Sequence, residues 1–310
     1  MLDITTIGEI LIDLTQTGTD AQGIPQFAAN PGGAPANLAV AASRLGAKTA
    51  FIGKVGQDSF GDYLKNVLAE NHVDASALLT DPVQHTTLAV VSVDKTGERD
   101  FSFYRDPSAD VSLSAEEVPE ALLKDTRILH FGSVSLTAEP ARSATMHAAR
   151  QAKALGKIVS YDPNYRARLW KSEAEAIEQM KAPLLLADIL KVSDEELPLL
   201  TGPAEGTRIL AESGVQLILV TLGPDGAFYR FGDRTGHVPG VPCKVGDTNG
   251  AGDTFFGALL SKLCRYAKVA DIPVDMLEEA IAFANKAASI TTSRRGAIPA
   301  MPTLDEVETA

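Results

Sequence analysis

The sequence has few cysteines, few aromatic residues and no long apolar run. Two cysteines, Cys243 and Cys264, occur among 310 residues, and their surroundings match no metal-binding spacing. We therefore expect two reduced structural thiols and no disulfide. No apolar run is long enough to cross a bilayer, and the first residues lack the basic region and apolar core of a signal peptide. These absences predict a cytoplasmic protein with no membrane partner.

Basic residues are also fewer than acidic ones. The sequence has 28 Lys and Arg and 40 Asp and Glu, which gives a formal net charge of -12 at pH 7. Such a charge repels a phosphate backbone, and no local basic run offsets it, so nucleic acid is excluded as a partner. The five histidines are dispersed without the spacing of a zinc site. An anionic ligand would have to be bound by helix N-termini, individual basic side chains or a divalent cation.

Two common nucleotide-binding motifs are missing. No Gly-x-x-x-x-Gly-Lys-Ser/Thr occurs, since Gly53-Lys54 is followed by Val55 and lacks the upstream glycine. No Gly-x-Gly-x-x-Gly follows the first predicted strand, where Gly8-Glu9-Ile10 stands instead. A P-loop kinase and a nicotinamide dehydrogenase are therefore both disfavoured.

The pattern along the chain alternates short β-branched runs with helical stretches, which predicts an α/β fold with an open, mostly parallel sheet flanked by helices on both faces. Residues 10–29 and 88–105 interrupt this alternation, and we expect them to form a small antiparallel β lid, with a turn at residues 94–97. With no repeat or linker, residues 1–310 are predicted to form one domain. Strands are expected at residues 4–7, 49–52, 128–131, 158–161, 189–192 and 217–221.

The strongest motif is Asp-Thr-Asn-Gly-Ala-Gly-Asp-Thr-Phe at residues 247–255, which precedes an apolar-periodic helix beginning near Ala251. The exposed N–H groups of a helix N-terminus, together with Gly250 and Gly252, form an anion hole for a phosphate. Asp253 in the first turn can accept a hydroxyl proton beside that phosphate. An acidic residue merely favoured by the helix dipole is the alternative, and the surrounding glycines favour the catalytic role.

A second motif, Pro-Gly-Gly-Ala-Pro-Ala-Asn at residues 31–37, introduces another predicted helix that ends near Gly46. Gly32 and Gly33 allow hydroxyl groups of a ligand to approach the backbone, and Asn37 offers both a donor and an acceptor. These groups suit a polyol. A double glycine before a helix is also a common turn, so this motif is weak by itself.

Both motifs resemble the two signature regions of the ribokinase-like (PfkB) carbohydrate kinases, in the expected order and at opposite ends of the chain. The resemblance continues through residues 8–13, 162–166, 191–196 and 221–226. Within that family the sequence is most similar to fructokinases. The resemblance implies a ribokinase-like fold and an ATP-dependent transfer of a phosphoryl group to a sugar hydroxyl.

The resemblance also implies which residues bind each substrate. A carboxylate such as Asp13 suits two sugar hydroxyls, although a turn role is the common alternative. Arg105 and Arg166 could equally be exposed ion-pair residues. The implied sugar site comprises Asp13, Gly32, Gly33, Asn37, Arg105, Asn164 and Arg166. The implied ATP site comprises Lys191, Ser193, Thr221, Gly223, Gly226 and Asn285.

The same resemblance implies two metal-ion sites. Glu196 is implied in binding Mg2+, through water, because this hard cation retains several water ligands. The alternative is an acidic first turn stabilised by the helix dipole. Asp247 and the carbonyls of residues 291–296 resemble a loop that binds a monovalent cation, often K+. Ser193 departs from the asparagine that is frequent in the family, so its ATP contact is expected to be altered.

The sequence leaves the acceptor sugar open. Fructose is the first choice, with 2-keto-3-deoxygluconate or a riboside as the alternatives on the same scaffold. A non-catalytic sugar-binding protein is the alternative from another class, and the joint presence of Gly250, Gly252 and Asp253 argues against it. The oligomeric state, including a homodimer, also stays open.

Overall fold

The computed structural model describes residues 1–93, 99–202 and 206–310. The turn predicted at residues 94–97 lies outside the described residues. Within them, the strands are β1 (Leu2–Ile7), β2 (Leu11–Thr19), β3 (Pro25–Gly32), β4 (Thr49–Gly56), β5 (Asp74–Asp81), β6 (Leu88–Val93), β7 (Arg99–Tyr104), β8 (Thr126–Gly132), β9 (Ile158–Asp162), β10 (Ile189–Ser193), β11 (Leu217–Thr221), β12 (Ala227–Phe231) and β13 (Arg234–Val238).

The helices alternate with the strands of the large sheet over most of the chain. The helices described are α1 (Ala34–Arg44), α2 (Ser59–Glu70), α3 (Glu120–Asp125), α4 (Ala141–Ala154), α5 (Glu173–Lys181), α6 (Leu197–Thr201), α7 (Gly206–Glu212), α8 (Ala251–Leu263), α9 (Val274–Thr292) and α10 (Leu304–Thr309).

The described strands form two sheets. The larger has nine strands in the order β13-β12-β11-β10-β9-β8-β1-β4-β5, and it is parallel except at β12 and β13, which pair antiparallel at one edge. The smaller has the order β3-β2-β6-β7. Here β2 pairs antiparallel with β3 and parallel with β6, while β6 and β7 are antiparallel. The predicted α/β class with a small second sheet is confirmed, but this sheet is mixed and not antiparallel throughout, because the two predicted hairpin segments join through the parallel pair β2–β6.

Both faces of the large sheet are covered. Alternation along β1 sends Ile4 and Ile7 to opposite faces, and both side chains are fully buried. Ile4 packs in a cluster with α8 and α9, whereas Ile7 packs in a cluster with α4 and α5. A third cluster, which includes Ile12 of β2 and Leu64 of α2, fixes the small sheet to the body. No helix in the described ranges is long and apolar enough to span a membrane.

Helix α8 is buried along most of its length, and accordingly apolar side chains project from nearly all of its faces. It lies against α1, and Gly257 permits the close approach, because a Cβ at that position would lie 2.9 Å from both the Ala41 Cβ and the Leu38 carbonyl oxygen. The two motifs singled out in the sequence begin these two helices. Their packing therefore brings segments about 220 residues apart together.

Candidate active site

The carboxyl ends of the central parallel strands supply the polar residues of the site. Glu9 follows β1, Asp162 ends β9, Ser193 ends β10 and Thr221 ends β11. In an open α/β sheet, these ends form the crevice in which ligands bind. The N-termini of α1 and α8 face the same edge. The Ala34 N–H at the start of α1 donates to Glu9 Oε1, and the Cβ position of Gly252 at the start of α8 lies 3.2 Å from Lys191 Nζ.

A cavity of about 580 Å³, here called the first cavity, opens at this edge. Its lining is mostly polar and comes from the small sheet, from the strand ends and from the starts of α1 and α8. The lining includes Glu9, Asp13, Gly33, Asn37, Phe103, Val134, Asn164, Arg166, Lys191, Ser193, Glu196, Thr221, Asn249, Gly250, Gly252 and Asp253.

The N-terminus of α8 forms one wall of the first cavity. Its N-cap residue, Gly250, has φ 74°, and an added Cβ would lie 2.8 Å from the Ala297 Cβ, so both conformation and space require glycine. At Gly252 a Cβ would lie 3.2 Å from Lys191 Nζ. The ammonium group of Lys191 is therefore beside the first turn of α8, where the helix N–H groups already favour an anion.

Asp253 lies in that first turn, half-buried in the wall of the first cavity. Asn37 Nδ2 of α1 donates a hydrogen bond of 2.8 Å to Asp253 Oδ2. Burial raises the pKa of Asp253 above its ordinary value, while this hydrogen bond and the charges of Lys191 and Arg166 lower it in part. A carboxylate with a raised pKa beside an anion site is the arrangement expected of a general base.

Lys191 and Asp162 form a buried ion pair beneath the α8 N-terminus. Lys191 Nζ lies 2.9 Å from Asp162 Oδ2, and both side chains are less than a tenth exposed. Burial opposes the charge of Lys191, but Asp162, Glu196 and Asp253 raise its pKa overall, so it stays protonated. Burial, together with repulsion from Glu196 and Asp253, raises the pKa of Asp162 to about 6.

Asp13 reaches the first cavity from β2. Its carboxylate lies directly over Gly32, where an added Cβ would meet Asp13 Oδ2 at 2.4 Å. Gly32 does not line the cavity itself, so its role is to make room for Asp13. Burial raises the pKa of Asp13 to about 6, with Arg166 and Asn249 opposing the shift and Asp253 adding to it.

Arg166 and Asn164 follow β9 and line the first cavity, as the resemblance implies. Arg166 is exposed, and its charge acts on both Asp13 and Asp253. Asn164 is buried and has a φ of 47°, a left-handed conformation that asparagine tolerates better than most residues. The predicted sugar-site residues other than Gly32 and Arg105 therefore meet in one cavity.

Arg105 is placed differently. Its guanidinium is buried, with Nε 2.7 Å from Asp110 Oδ2 and further hydrogen bonds to Thr137 Oγ1 and the Val134 carbonyl oxygen. It does not line the first cavity. In this structure the guanidinium therefore connects the end of β7 to the loop after β8, while Phe103 and Val134 face the cavity.

Glu196 lines the first cavity, but its carboxylate also organises the backbone. Glu196 Oε2 accepts a hydrogen bond of 2.9 Å from the Ser193 N–H, and Oε1 accepts one of 2.7 Å from the Tyr165 N–H. Burial alone would raise the pKa of Glu196, but Lys191 and these N–H groups lower it, and the net shift is downward. The group is therefore ionised and rigidly held.

A second cavity of about 470 Å³ lies on the other side of the α8 N-terminus and shares Thr221, Thr248 and Gly252 with the first. Asn285 lines it, while its Nδ2 donates to the carbonyl oxygens of Val238 and Pro239 at the end of β13. The remaining lining is glycine-rich and largely apolar. It includes Gly223, Pro224, Gly226, Gly240, Val241, Pro242, Cys243, Val245, Ala251, Phe255, Ala288 and Ser289.

Asp247 lies in the loop before α8 and outside the lining of both cavities. Its Oδ1 accepts a hydrogen bond from the Asn249 N–H, and its Oδ2 accepts one of 3.2 Å from the Gly296 N–H. The Gly246 and Asp247 N–H groups donate to the Thr292 carbonyl oxygen. Asp247 thus joins the start of the α8 motif to the predicted cation loop at residues 291–296.

Two buried carboxylates were not assigned from the sequence. Glu9 lines the first cavity and accepts a hydrogen bond from the Ala34 N–H, and burial raises its pKa to about 7. Asp162 holds Lys191. Asp162 stands directly after a predicted strand and Glu9 stands two residues after one, and a polar residue at the carboxyl end of a parallel strand was the available signal.

Comparison with known proteins agrees with this geometry. Residues 1–304 match the pfkB family carbohydrate kinase, and the chain belongs to that family of sugar kinases. Fructokinase-2 from Solanum lycopersicum is 43% identical over 312 residues, covering 99% of this chain and 95% of that protein. The predicted family and the predicted class of enzyme, a phosphotransferase with an alcohol acceptor, are confirmed.

Solved structures give the same result. A fructokinase from Xylella fastidiosa with bound ATP superposes with a TM-score of 0.93 at 33% identity, covering 100% of this chain and 98% of that chain. A fructokinase from Vibrio cholerae O395 with fructose, ADP and calcium bound has a TM-score of 0.89 at 36% identity, covering 99% and 97%. Similarity at this level extends over both cavities.

Proposed function

We propose that this sugar kinase transfers the γ-phosphoryl group of ATP to a primary hydroxyl of fructose, with Asp253 as the general base. The observation that carries the proposal is the position of the Asp253 carboxylate, which lines the first cavity from the first turn of α8, one residue from Gly252, where the two cavities meet. A relative 43% identical over nearly the whole chain carries the name fructokinase.

The first cavity supports binding of the sugar. Asp13, Asn37 and Asn164 offer acceptors and donors of the kind that a polyol requires. Because Arg105 is already paired with Asp110, the small sheet brings no free Arg105 guanidinium to this cavity. Arg105 therefore offers no charge to the carboxylate of a sugar acid. The other cations of the cavity, Arg166 and Lys191, already balance carboxylates of the protein, so a neutral sugar is favoured over 2-keto-3-deoxygluconate.

The second cavity supports binding of the nucleotide. Its apolar walls suit an adenine ring. Gly223 leaves space in which a ligand can approach the backbone, while Gly226 lets the backbone of residues 238–240 pack closely behind the cavity. From there the phosphates would extend across Gly252 to Lys191. The Xylella fastidiosa relative was solved with ATP and the Vibrio cholerae relative with ADP, which supports ATP as the co-substrate.

The residues near the anion site suit Mg2+. Asp162 Oδ1 is buried and accepts no hydrogen bond within the described part of the chain, and Glu196 is ionised. These are the hard oxygen donors that Mg2+ prefers, and Glu196 would act through water because both its oxygens already accept N–H groups. When bound, Mg2+ would neutralise charge on the β- and γ-phosphates. K+ at the Asp247 loop is part of the same proposal.

The transfer step follows from these positions. The sugar oxygen forms a bond to the γ-phosphorus as the bond from that phosphorus to the β,γ-bridging oxygen breaks, and ADP leaves with the electron pair. The hydroxyl proton passes to the Asp253 carboxylate. The first-turn N–H groups of α8 and the Lys191 ammonium stabilise the charge on the transferring group.

We further propose that residues 1–310 work as one kinase domain whose small sheet is a mobile lid formed within residues 10–29 and 88–105. Closure over the sugar would exclude water and limit hydrolysis of ATP. Hydrogen exchange with and without fructose should show increased protection in β2, β3 and β6. Unchanged exchange at saturating fructose would contradict a closing lid. A cytoplasmic location and a homodimer remain predictions from the sequence.

The proposed activity is tested by a coupled ADP-release assay with Mg2+ present, across fructose, 2-keto-3-deoxygluconate and ribosides, with and without K+. We expect the highest kcat/KM with fructose, and product analysis should find the phosphate on a primary hydroxyl. A clearly higher kcat/KM with another sugar would replace fructose and leave the kinase class intact. K+ independence would remove the Asp247 loop from the proposal.

A further inference from the structure

Asn37 contacts the proposed base directly. It is 4% exposed and lies in the first turn of α1, and its Nδ2 donates a 2.8 Å hydrogen bond to Asp253 Oδ2. The resemblance assigned Asn37 to the sugar. The structure gives one half of its amide group a different partner.

The geometry of this contact is set by two packed helices. Gly257 of α8 brings α1 so close that the Leu38 carbonyl oxygen and the Ala41 Cβ would each lie 2.9 Å from an added Cβ. Asn37 and Asp253 both belong to first turns of these helices. A hydrogen bond between two well-packed helices restricts the rotamers of both side chains, so the carboxylate has a defined orientation.

The other half of the Asn37 amide has no partner among the described residues. Asn37 Oδ1 is buried and has no hydrogen-bond donor within the described ranges, although Asn37 lines the first cavity. A buried acceptor without a donor is costly, and a small movement of the side chain on sugar binding would let a hydroxyl group in the cavity satisfy it.

We propose that Asn37 is a positioning residue for Asp253: its amide N–H holds Asp253 Oδ2, so that Oδ1 faces the reacting hydroxyl, while its own Oδ1 accepts a second hydroxyl of the same sugar. The inference rests on the proposed role of Asp253 as the base. It makes sugar binding and orientation of the base properties of a single side chain.

The electrostatic consequence can be measured. An N–H donor stabilises the ionised carboxylate, so loss of the donor raises the pKa of Asp253. The base acts in its ionised form, and the acid limb of the kcat profile therefore moves to higher pH. Other charges near Asp253 stay in place in such a variant. They are the carboxylates of Asp13, Asp162 and Glu196 and the cations Lys191 and Arg166.

The experiment compares Asn37→Ala, Asn37→Asp and a remote control, Asn71→Asp, at the C-cap of α2. The acid limb of kcat at saturating fructose and ATP and the 13C NMR titration of the Asp253 carboxyl are both measured. For Asn37→Ala we expect both midpoints to rise by about one pH unit, the size expected for one hydrogen bond to a charged group.

Asn37→Asp tests whether the side chain of residue 37 lies beside the Asp253 carboxylate in solution. It conserves the size of the side chain and suits a helix first turn, so it should fold. Its second carboxylate beside Asp253 should raise the midpoint by at least as much as Asn37→Ala does, because two adjacent carboxyls resist joint ionisation. Asn71→Asp adds the same charge far from the site and should leave the midpoints unchanged.

Three results would overturn the inference. One is a higher KM for fructose with unchanged midpoints, since Asn37 would then be a sugar ligand alone. Another is an equal shift in Asn71→Asp, which would indicate a general charge effect. The third is an unchanged NMR midpoint of Asp253 in both Asn37 variants. Because the NMR titration needs no turnover, it decides the inference even if wild-type protein phosphorylates none of the sugars tested.

Discussion

The first cavity is lined by many charged side chains, from buried Lys191 to exposed Arg166, whereas the second cavity is lined mainly by glycines and apolar residues. In the first, Lys191 and Asp253 are held within a network of carboxylates whose pKa values burial shifts. In the second, Gly223 and Gly226 determine the shape of the backbone. The two cavities therefore differ in what determines their function. The reaction depends on a few charged side chains, whereas nucleotide binding depends on the conformation of the backbone.

The sharpest test of this comparison is Asp253→Asn. The amide keeps the size of the side chain but cannot accept the proton, so we expect turnover to fall by about 100- to 10,000-fold, or about 3 to 5 kcal/mol of barrier. Thermal melting and calorimetric ATP binding should stay close to wild type. A variant that keeps more than about a tenth of wild-type turnover would contradict the assignment of the base.

Removing the Lys191 ammonium group should lower both the folding stability and the turnover. Lys191→Met leaves Asp162 buried without its partner, which costs about 3 to 5 kcal/mol of folding free energy. Turnover should fall by about 100-fold or more, because the anion site loses its ammonium group. The double variant Lys191→Met/Asp162→Asn should recover most of the stability and none of the turnover. Recovery of turnover in the double variant would show that Lys191 acts only structurally.

The titration of Asp13 gives a smaller effect. Its pKa is raised to about 6, so the carboxylate that accepts sugar hydroxyls is largely ionised at pH 7 and largely protonated at pH 5. We expect kcat/KM for fructose to fall about tenfold over this range, while the dissociation constant for ATP changes little. Asp13→Asn serves as the control, because its remaining pH dependence reports the other carboxyls. A flat wild-type profile would contradict a role for ionised Asp13.

The smallest effects should come from backbone changes in the second cavity. Gly226 has φ 93°, and an added Cβ would meet the Val238 carbonyl oxygen at 2.3 Å. Gly226→Ala should therefore cost about 1 to 3 kcal/mol of stability and raise KM for ATP several-fold, without changing KM for fructose. Gly223→Ala is the matched control for stability, since the φ of Gly223 is 56° and nothing lies near its Cβ position; because Gly223 lines the same cavity, KM for ATP is compared only in Gly226→Ala. An equal loss of stability in Gly223→Ala would remove the clash as the cause.

Much of the fold was predictable because parallel strands and helices leave strong periodic patterns. The six strands predicted from β-branched runs are β1, β4, β8, β9, β10 and β11 of the large sheet. Strands β5, β12 and β13 were not predicted. Strands β5 and β13 are the two edges of the sheet and β12 is next to one of them. Exposed residues such as Arg234 leave few buried positions in these edge strands, which weakens the pattern.

The site was predictable to a similar degree. Asp253 and Asn37 were found because glycines beside a helix start leave a local signal. That Asn37 donates to Asp253, that Arg105 pairs with Asp110 and that Asp162 pairs with Lys191 are contacts between distant segments. Such pairings depend on how helices and strands pack, and a single sequence carries no local pattern for them.

The buried Lys191–Asp162 pair has a consequence for the effect of ionic strength. The protein carries a formal net charge of -12, so its long-range field repels ATP. Dissolved salt screens this repulsion between exposed charges over about 8 to 10 Å, but it barely reaches an ammonium group inside the protein. Moderate salt should therefore speed the diffusional approach of the nucleotide without weakening its final contact with Lys191. An exposed lysine at the same place would lose attraction for the nucleotide as salt rises.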